Sequence, residues 1–366
     1  MRQTLYLHIG MGKTGTTALQ SFFADQALAL QAQGICYPKT CQVANAHHLA
    51  SPHQPPFLGG TGWQFETPNQ YVPKLLVQDA ATFLMSSELI AWASKEKIAP
   101  YCAAIMAHMD LKIVLYLRRQ DIIIMAGYNQ QIKAGTQRRD IRAVIKNQMS
   151  RFDYLAKIKP WEEAIGTENI IIRAYERQQF IEGDLRKDFL VGALGISDLG
   201  DFNFVNRPNS NPRYARAAME YKRFLNCLFE DVEASGAFNK LLLKYSADVS
   251  ANATEIFTEH DTLDPQTRQQ VLDHFAADNA FIARTYMGRA DGLLFTDQNI
   301  PEHKDVPPVK EDDFLAITNL IHQKEPKLYK KLLNRLNEQA EAEQYTVVQA
   351  RNFLIRSLGS QESTQL

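Results

Sequence analysis

The sequence predicts an α/β fold of three layers, a mostly parallel sheet flanked by helices, continued by a largely helical C-terminal half and a helical tail. Three observations carry that prediction. Short apolar runs at 5–9, 82–86, 112–117 and 169–173 alternate with segments of helical period, the pattern of strands joined by crossover helices. The first run ends in a glycine-rich turn and resumes with Leu19, Phe22, Phe23, Ala27 and Leu30 at helical spacing. From about 214 to 287 the period is helical with interruptions, and no strand is convincing.

Element by element, the strand at 5–9 leads into Gly10-Met11-Gly12-Lys13-Thr14-Gly15-Thr16-Thr17 and a helix that Gly34 ends as a C-cap. The Pro-, Gly- and His-rich stretch 41–73 has no period, which suits a functional or mobile loop. Three more strands and their helices follow. Helical patterns at 313–322, 327–340 and 347–358, with Pro326 at a first helical position and Gly359 as a stop, form the tail. The expected organisation is a domain over 1–300, divided into an α/β core at 1–206 and a helical part at 207–300. A linker at 301–310 is marked by Pro301, Pro307 and Pro308, and a helical extension occupies 311–366, with dimerisation or packing as its role. A homodimer is therefore one expectation.

Composition narrows the class. The 366 residues carry 40 Lys+Arg against 41 Asp+Glu, a net charge of −1, and 45% are hydrophobic, enough for a sizeable core. That balance speaks against a dedicated nucleic-acid binder. The stretch 133–159 departs from it, with eight Lys or Arg against Asp140 and Asp153, a local +6 that reads as a solvated face or a landing surface for an anionic substrate. No apolar stretch approaches the ~20 residues of a membrane span, and the N-terminal run, interrupted by His8, is no signal peptide. Cys36, Cys41, Cys102 and Cys227 include no C-x-x-C pair, so a reducing cytoplasm is expected.

The chemistry concentrates at the first turn. A strand ending in Gly/Lys/Thr and restarting as a helix aims backbone N–H groups and the positive end of the helix dipole at one point, which suits a phosphate. Lys13 adds a charge, and Thr14, Thr16 and Thr17 add hydroxyls. Gly10, Gly12 and Gly15 allow close approach. The nucleoside triphosphate loop G-x-x-x-x-G-K-[ST] matches only at its end, because its first glycine falls on Leu7.

The run from His8 to Gln20, with the core Lys13-Thr14-Gly15-Thr16-Thr17 followed by Leu19-Gln20, resembles the 5′-phosphosulfate loop of sulfotransferases that use 3′-phosphoadenosine-5′-phosphosulfate (PAPS). A second element is similar to that family's 3′-phosphate site. The strand at 112–117 ends in Arg118-Arg119-Gln120-Asp121 and enters a helix through Tyr128. Arg118 matches the family's arginine, whereas position 126 is Ala where the family has Ser. The missing hydroxyl is worth about 1 kcal/mol, and Arg119 or a backbone N–H is a substitute. Trp161, the stretch 168–176 and Asp188 extend the resemblance over roughly the first 295 residues. It implies a P-loop-type fold and sulfuryl transfer to a hydroxyl acceptor. PAPS, the co-substrate, would be held by Gly12, Lys13, Thr14, Gly15, Thr16, Thr17, Arg118 and Tyr128, with no metal required.

Sulfuryl transfer needs a base for the acceptor hydroxyl and positive charge at the leaving phosphate, which Lys13 supplies. Glu88, in Ser86-Ser87-Glu88 directly after a strand, sits at the carboxyl edge where open parallel sheets bind ligands, and is the first candidate base. Helix capping is its other reading. His48 is the alternative base, since neutral imidazole suits proton transfer near pH 7. His47 and His48 alone do not make a metal site. Arg207-Pro208-Asn209-Ser210 either closes over the nucleotide or is an ordinary turn, and Trp63 offers a stacking surface. The expected acceptor is a carbohydrate, glycolipid or polysaccharide precursor, with a small alcohol or phenol open. Two alternatives remain, a P-loop kinase or other Mg-dependent nucleotide enzyme, and a non-catalytic nucleotide-binding protein of the same fold.

Overall fold

The computed structural model describes residues 2–55, 62–205, 214–252, 263–300, 309–340, 344–356 and 358. In chain order its main elements are β1 (Thr4–His8), α1 (Thr16–Asp25), α2 (Ala27–Ala32), β2 (Ile35–Cys36), α3 (Pro68–Leu76), β3 (Thr82–Ser86), α4 (Lys95–Met106), β4 (Asp110–Leu117), α5 (Gln120–Lys133), α6 (Ile141–Gln148), α7 (Tyr154–Ile165) and β5 (Ile170–Ala174). Helices α8 (Arg216–Leu228), α9 (Val232–Gly236), α10 (Asn239–Asn252), α11 (Pro265–Met287), α12 (Glu311–Lys324), α13 (Pro326–Glu338) and α14 (Tyr345–Arg356) complete it. The segment 207–210 and positions 301–308 of the expected linker lie outside the described residues. Among the described residues no helix is long and apolar enough to cross a membrane.

The chain forms two compact units. One comprises Met1–Gln120, Ser150–Asn206 and Val271–Asn299; the other comprises Asp121–Met149, Arg207–Gln270 and Ile300–Leu366. The basic stretch is divided between them, with Lys133, Arg138, Arg139, Arg142 and Lys146 in the second and Arg151, Lys157 and Lys159 in the first.

The first unit holds a five-stranded parallel sheet in the order β2-β3-β1-β4-β5. Strand β1 is central, with Thr4 opposite Thr82 on one side and Asp110 on the other. From Ile113 to Leu117, β4 is buried throughout, as a parallel strand covered by helices on both faces must be. Leu19, Phe22 and Phe23 of α1 pack against Val114, Tyr116 and Phe189. Helix α1 breaks at Gln26, whose N–H bonds to the Phe22 carbonyl, and α2 ends before Gly34 at φ +74°. The edge strand β2, two residues long, carries too little alternation to be visible in the sequence. The turns after β1, β3, β4 and β5 therefore all leave one edge of the sheet, the carboxyl edge.

The second unit is helical. Tyr221, Leu225 and Leu228 of α8 share one core with Phe238, Leu242, Phe314, Ile317, Leu332, Leu336 and Leu354, so α12, α13 and α14 pack with α8 and α10. Pro326 starts α13 as its first helical residue. Asp121, at the head of α5, makes a fully buried ion pair with Arg268 at 2.8 Å.

Candidate active site

The turn from β1 to α1 alternates in handedness. Lys13 has φ +70° and Gly15 φ +76°, with Thr14 between them at negative φ. This alternation turns successive N–H groups toward one concavity, the form of an anion nest, and α1 begins at its rim. A left-handed lysine costs about 1–2 kcal/mol, strain of the kind that binding loops retain. A Cβ on Gly15 would meet Leu185 Cδ2 at 2.4 Å and Tyr175 Cε2 at 3.0 Å, so glycine is required there twice over. A Cβ on Gly12 would meet nothing, which leaves that face of the loop open to a ligand. The Thr14 hydroxyl turns inward to the Met11 carbonyl, Thr16 is buried and Thr17 is exposed.

From the neighbouring strand, Arg118 Nη1 donates to the Lys13 carbonyl at 3.1 Å, and its guanidinium lies 5.4 Å from the centre of the Tyr175 ring. Tyr154 fixes the backbone here by donating to the Arg118 carbonyl at 2.5 Å. Arg119 points elsewhere. Its guanidinium donates to the carbonyls of Asp297 and Asn299 at 2.7 and 3.0 Å. Tyr128 belongs to the helical unit, where its buried ring donates through the hydroxyl to the Arg139 carbonyl at 3.2 Å.

On the other side of β1, the two candidate bases meet. His48 Nε2 lies 4.0 Å from Glu88 Oε1, with side chains 19% and 28% exposed. The long loop delivers His48 because it is pinned to the end of β3: the His47 N–H donates to the Ser86 carbonyl at 2.8 Å, and the Ser86 N–H donates to His47 Nδ1 at 3.1 Å. His47 Nε2 therefore carries the proton and donates to the Pro38 carbonyl at 2.7 Å. Burial pushes this ring down to about 4, so it stays neutral. His48 Nδ1 bonds Ser87 Oγ at 2.9 Å. Burial also lowers the His48 pKa, against the opposing pull of the Glu88 carboxylate.

Sequence reading gave Gln20 no role, yet it joins this pair to the loop helix. Its amide Nε2 donates to Glu88 Oε2 at 3.0 Å and to Ser86 Oγ at 3.2 Å. Ser86 Oγ also bonds His8 Nδ1 at 2.9 Å. Ser86 Oγ thus accepts from Gln20 and shares a second hydrogen bond with the neutral His8 ring, whose tautomer sets the direction. His8 Nε2 is buried without a hydrogen-bond partner beneath Gly10, and burial pushes the ring down to about 3. A neutral chain from His8 through Ser86 and Gln20 thus holds one oxygen of Glu88 without placing a cation on it. The signal in the sequence was a polar residue on the apolar stripe of α1, four residues after Thr16 and three before Phe23.

No protein-family profile matches the chain. A curated protein of Archaeoglobus fulgidus, described only as uncharacterized, is 29% identical over 189 residues, 52% of this chain and 49% of that one. The chain thus spans about half the length of the curated relative it matches. Among solved structures, the crystal structure of a sulfotransferase from Alicyclobacillus acidocaldarius aligns with 78% of this chain and 96% of that one, at a TM-score of 0.41 and 14% identity. Nothing about activity follows from a likeness of that degree.

Proposed function

We propose that the protein is a sulfotransferase that moves the sulfuryl group of PAPS to a hydroxyl acceptor. The carrying observation is the alternating Lys13-Thr14-Gly15 turn at the foot of α1, a nest for a phosphate-type anion whose helix also holds the carboxylate of Glu88 through Gln20. Lys13 and the N–H groups of the turn hold the 5′-phosphosulfate and take up the charge that grows on the phosphate as the sulfuryl group leaves. Arg118 serves the 3′-phosphate, for which Ala126 offers no hydroxyl. Glu88 takes the proton of the acceptor hydroxyl as its oxygen bonds to sulfur, and neutral His48 faces the second carboxylate oxygen, ready to share that proton.

Two features disfavour a nucleoside triphosphate enzyme. The position of that loop's first glycine is Leu7, fully buried within β1, and Asp121, the acid after β4, is committed to Arg268 rather than available for Mg²⁺. A carbohydrate, glycolipid or polysaccharide precursor is the acceptor class. Four free cysteines, three of them buried, suit a cytoplasmic setting. The test is transfer of labelled sulfate from PAPS, without added metal, to a panel of glycan and small hydroxyl acceptors. Transfer that disappears in Glu88→Gln supports the reading; no transfer to any acceptor by a protein that hydrolyses or transfers from ATP contradicts it.

A further inference from the structure

Trp92 ends the 3-10 turn Ile90–Trp92, only four residues past Glu88, so the two Cα atoms are at most about 14 Å apart. Its neighbour Ile90 is fully buried, but the indole is 39% exposed. Two cations from separate elements converge on that ring. Lys157 of α7 places Nζ 4.4 Å from the ring centre, and Arg151 of the turn Met149–Phe152 places its guanidinium carbon at 5.4 Å. Asp153, between them in sequence, spends a carboxylate oxygen on the Ala156 N–H as the N-cap of α7. Burial lowers the Lys157 pKa and the nearby Arg151 charge lowers it further, against the opposing pull of the Asp153 carboxylate. Two cations from separate elements thus share one half-exposed indole, one of them partly desolvated, and a bound anion would add to the compensation that Asp153 gives Lys157.

We propose that Trp92, Arg151 and Lys157 form a subsite for an anionic sugar residue, a hexuronate or a sulfated sugar, beside Glu88. The indole offers an apolar platform to the sugar ring, and the cations exchange their contacts with the ring for stronger charge-assisted hydrogen bonds to the carboxylate or sulfate. That this sugar belongs to the acceptor of sulfuryl transfer rests on the sulfotransferase reading; binding of the anionic sugar does not.

The test titrates the full-length protein with trigalacturonate, a sulfated chondroitin tetrasaccharide and neutral maltotriose, by calorimetry and indole fluorescence at low and high salt. Adenosine 3′,5′-bisphosphate is measured beside them. At least one anionic saccharide is expected to bind ten times or more tighter than maltotriose, more weakly at high salt. Trp92→Leu and the double variant Arg151→Gln/Lys157→Gln should each lose at least tenfold, with bisphosphate affinity unchanged. Absence of binding by both anionic probes, indifference to charge, or wild-type affinity in the variants overturns the subsite. Saccharide binding as expected without bisphosphate binding keeps the subsite and removes the sulfotransferase reading; the opposite result does the reverse.

Discussion

Replacing Gln20 with Met tests the chain that holds Glu88. Methionine nearly matches glutamine in length, so the packing of α1 is kept while two donated bonds are lost, 3.0 Å to the Glu88 carboxylate and 3.2 Å to Ser86. A hydrogen bond to a charged group is worth about 1.5–3 kcal/mol. Glu88 is 28% exposed, so water compensates in part and the lower end applies. About 1.5 kcal/mol corresponds to roughly a tenfold fall in kcat. The assay is labelled sulfate transfer under saturating PAPS, with bisphosphate affinity and thermal midpoint measured on the same protein. Affinity and midpoint should hold while kcat falls, and Gln20→Glu should fall further because two carboxylates would then face each other. Wild-type kcat in Gln20→Met would refute a positioning role.

Three further outcomes follow from the same geometry. Lys13→Ala should abolish nucleotide binding, whereas Glu88→Gln should keep it and lose at least a hundredfold in transfer; normal turnover in Glu88→Gln would move the base to His48. Gly15→Ala forces a left-handed alanine, at about 1–2 kcal/mol, onto Leu185 and Tyr175, and should lower both stability and bisphosphate affinity. Gly12→Ala meets no protein atom and should weaken bisphosphate alone, so equal thermal losses in the two variants would contradict the open face at Gly12. Burial holds His8 at about 3 and His47 at about 4, below the unfolded value of 6.5, so the unfolded chain binds more protons as the pH falls. Their stabilising effect is complete above pH 6.5 and is lost on the way down to those values, about 3 kcal/mol together by pH 5.5. Urea midpoints for the sheet unit should drop between pH 7.5 and 5.5, and a flat profile would count against two neutral buried rings.

The parallel sheet and the tail helices were legible because their signals are periodic. Strands 82–86 and 112–117 are continuous apolar runs, and the stripes of α12 and α13 recur at helical spacing, so each element announces the face it buries. The turn between β1 and α1 was legible for a different reason, since the glycines of Gly10-Met11-Gly12-Lys13-Thr14-Gly15 break the period between strand and helix. Strand β2 was not, being two residues long and ordered by its neighbour β3 rather than by its own pattern. The meeting of His48 with Glu88 was also hidden. It depends on the bonds of His47 to Ser86 and Pro38, tertiary contacts within a loop that has no period. Gln20 was in plain view, but its role required knowing that Ser86 and Glu88 stand opposite it.

Thermal unfolding with adenosine 3′,5′-bisphosphate in the absence of metal, beside ATP with Mg²⁺, bears most directly on the proposed activity. A ligand at 100 times its Kd adds about 2.7 kcal/mol to the folded state, a shift of several degrees. The bisphosphate alone should raise the midpoint, and Lys13→Ala and Arg118→Ala should each erase that rise. A rise with ATP and Mg²⁺ and none with the bisphosphate would contradict the sulfotransferase assignment and place the turn among triphosphate-binding loops.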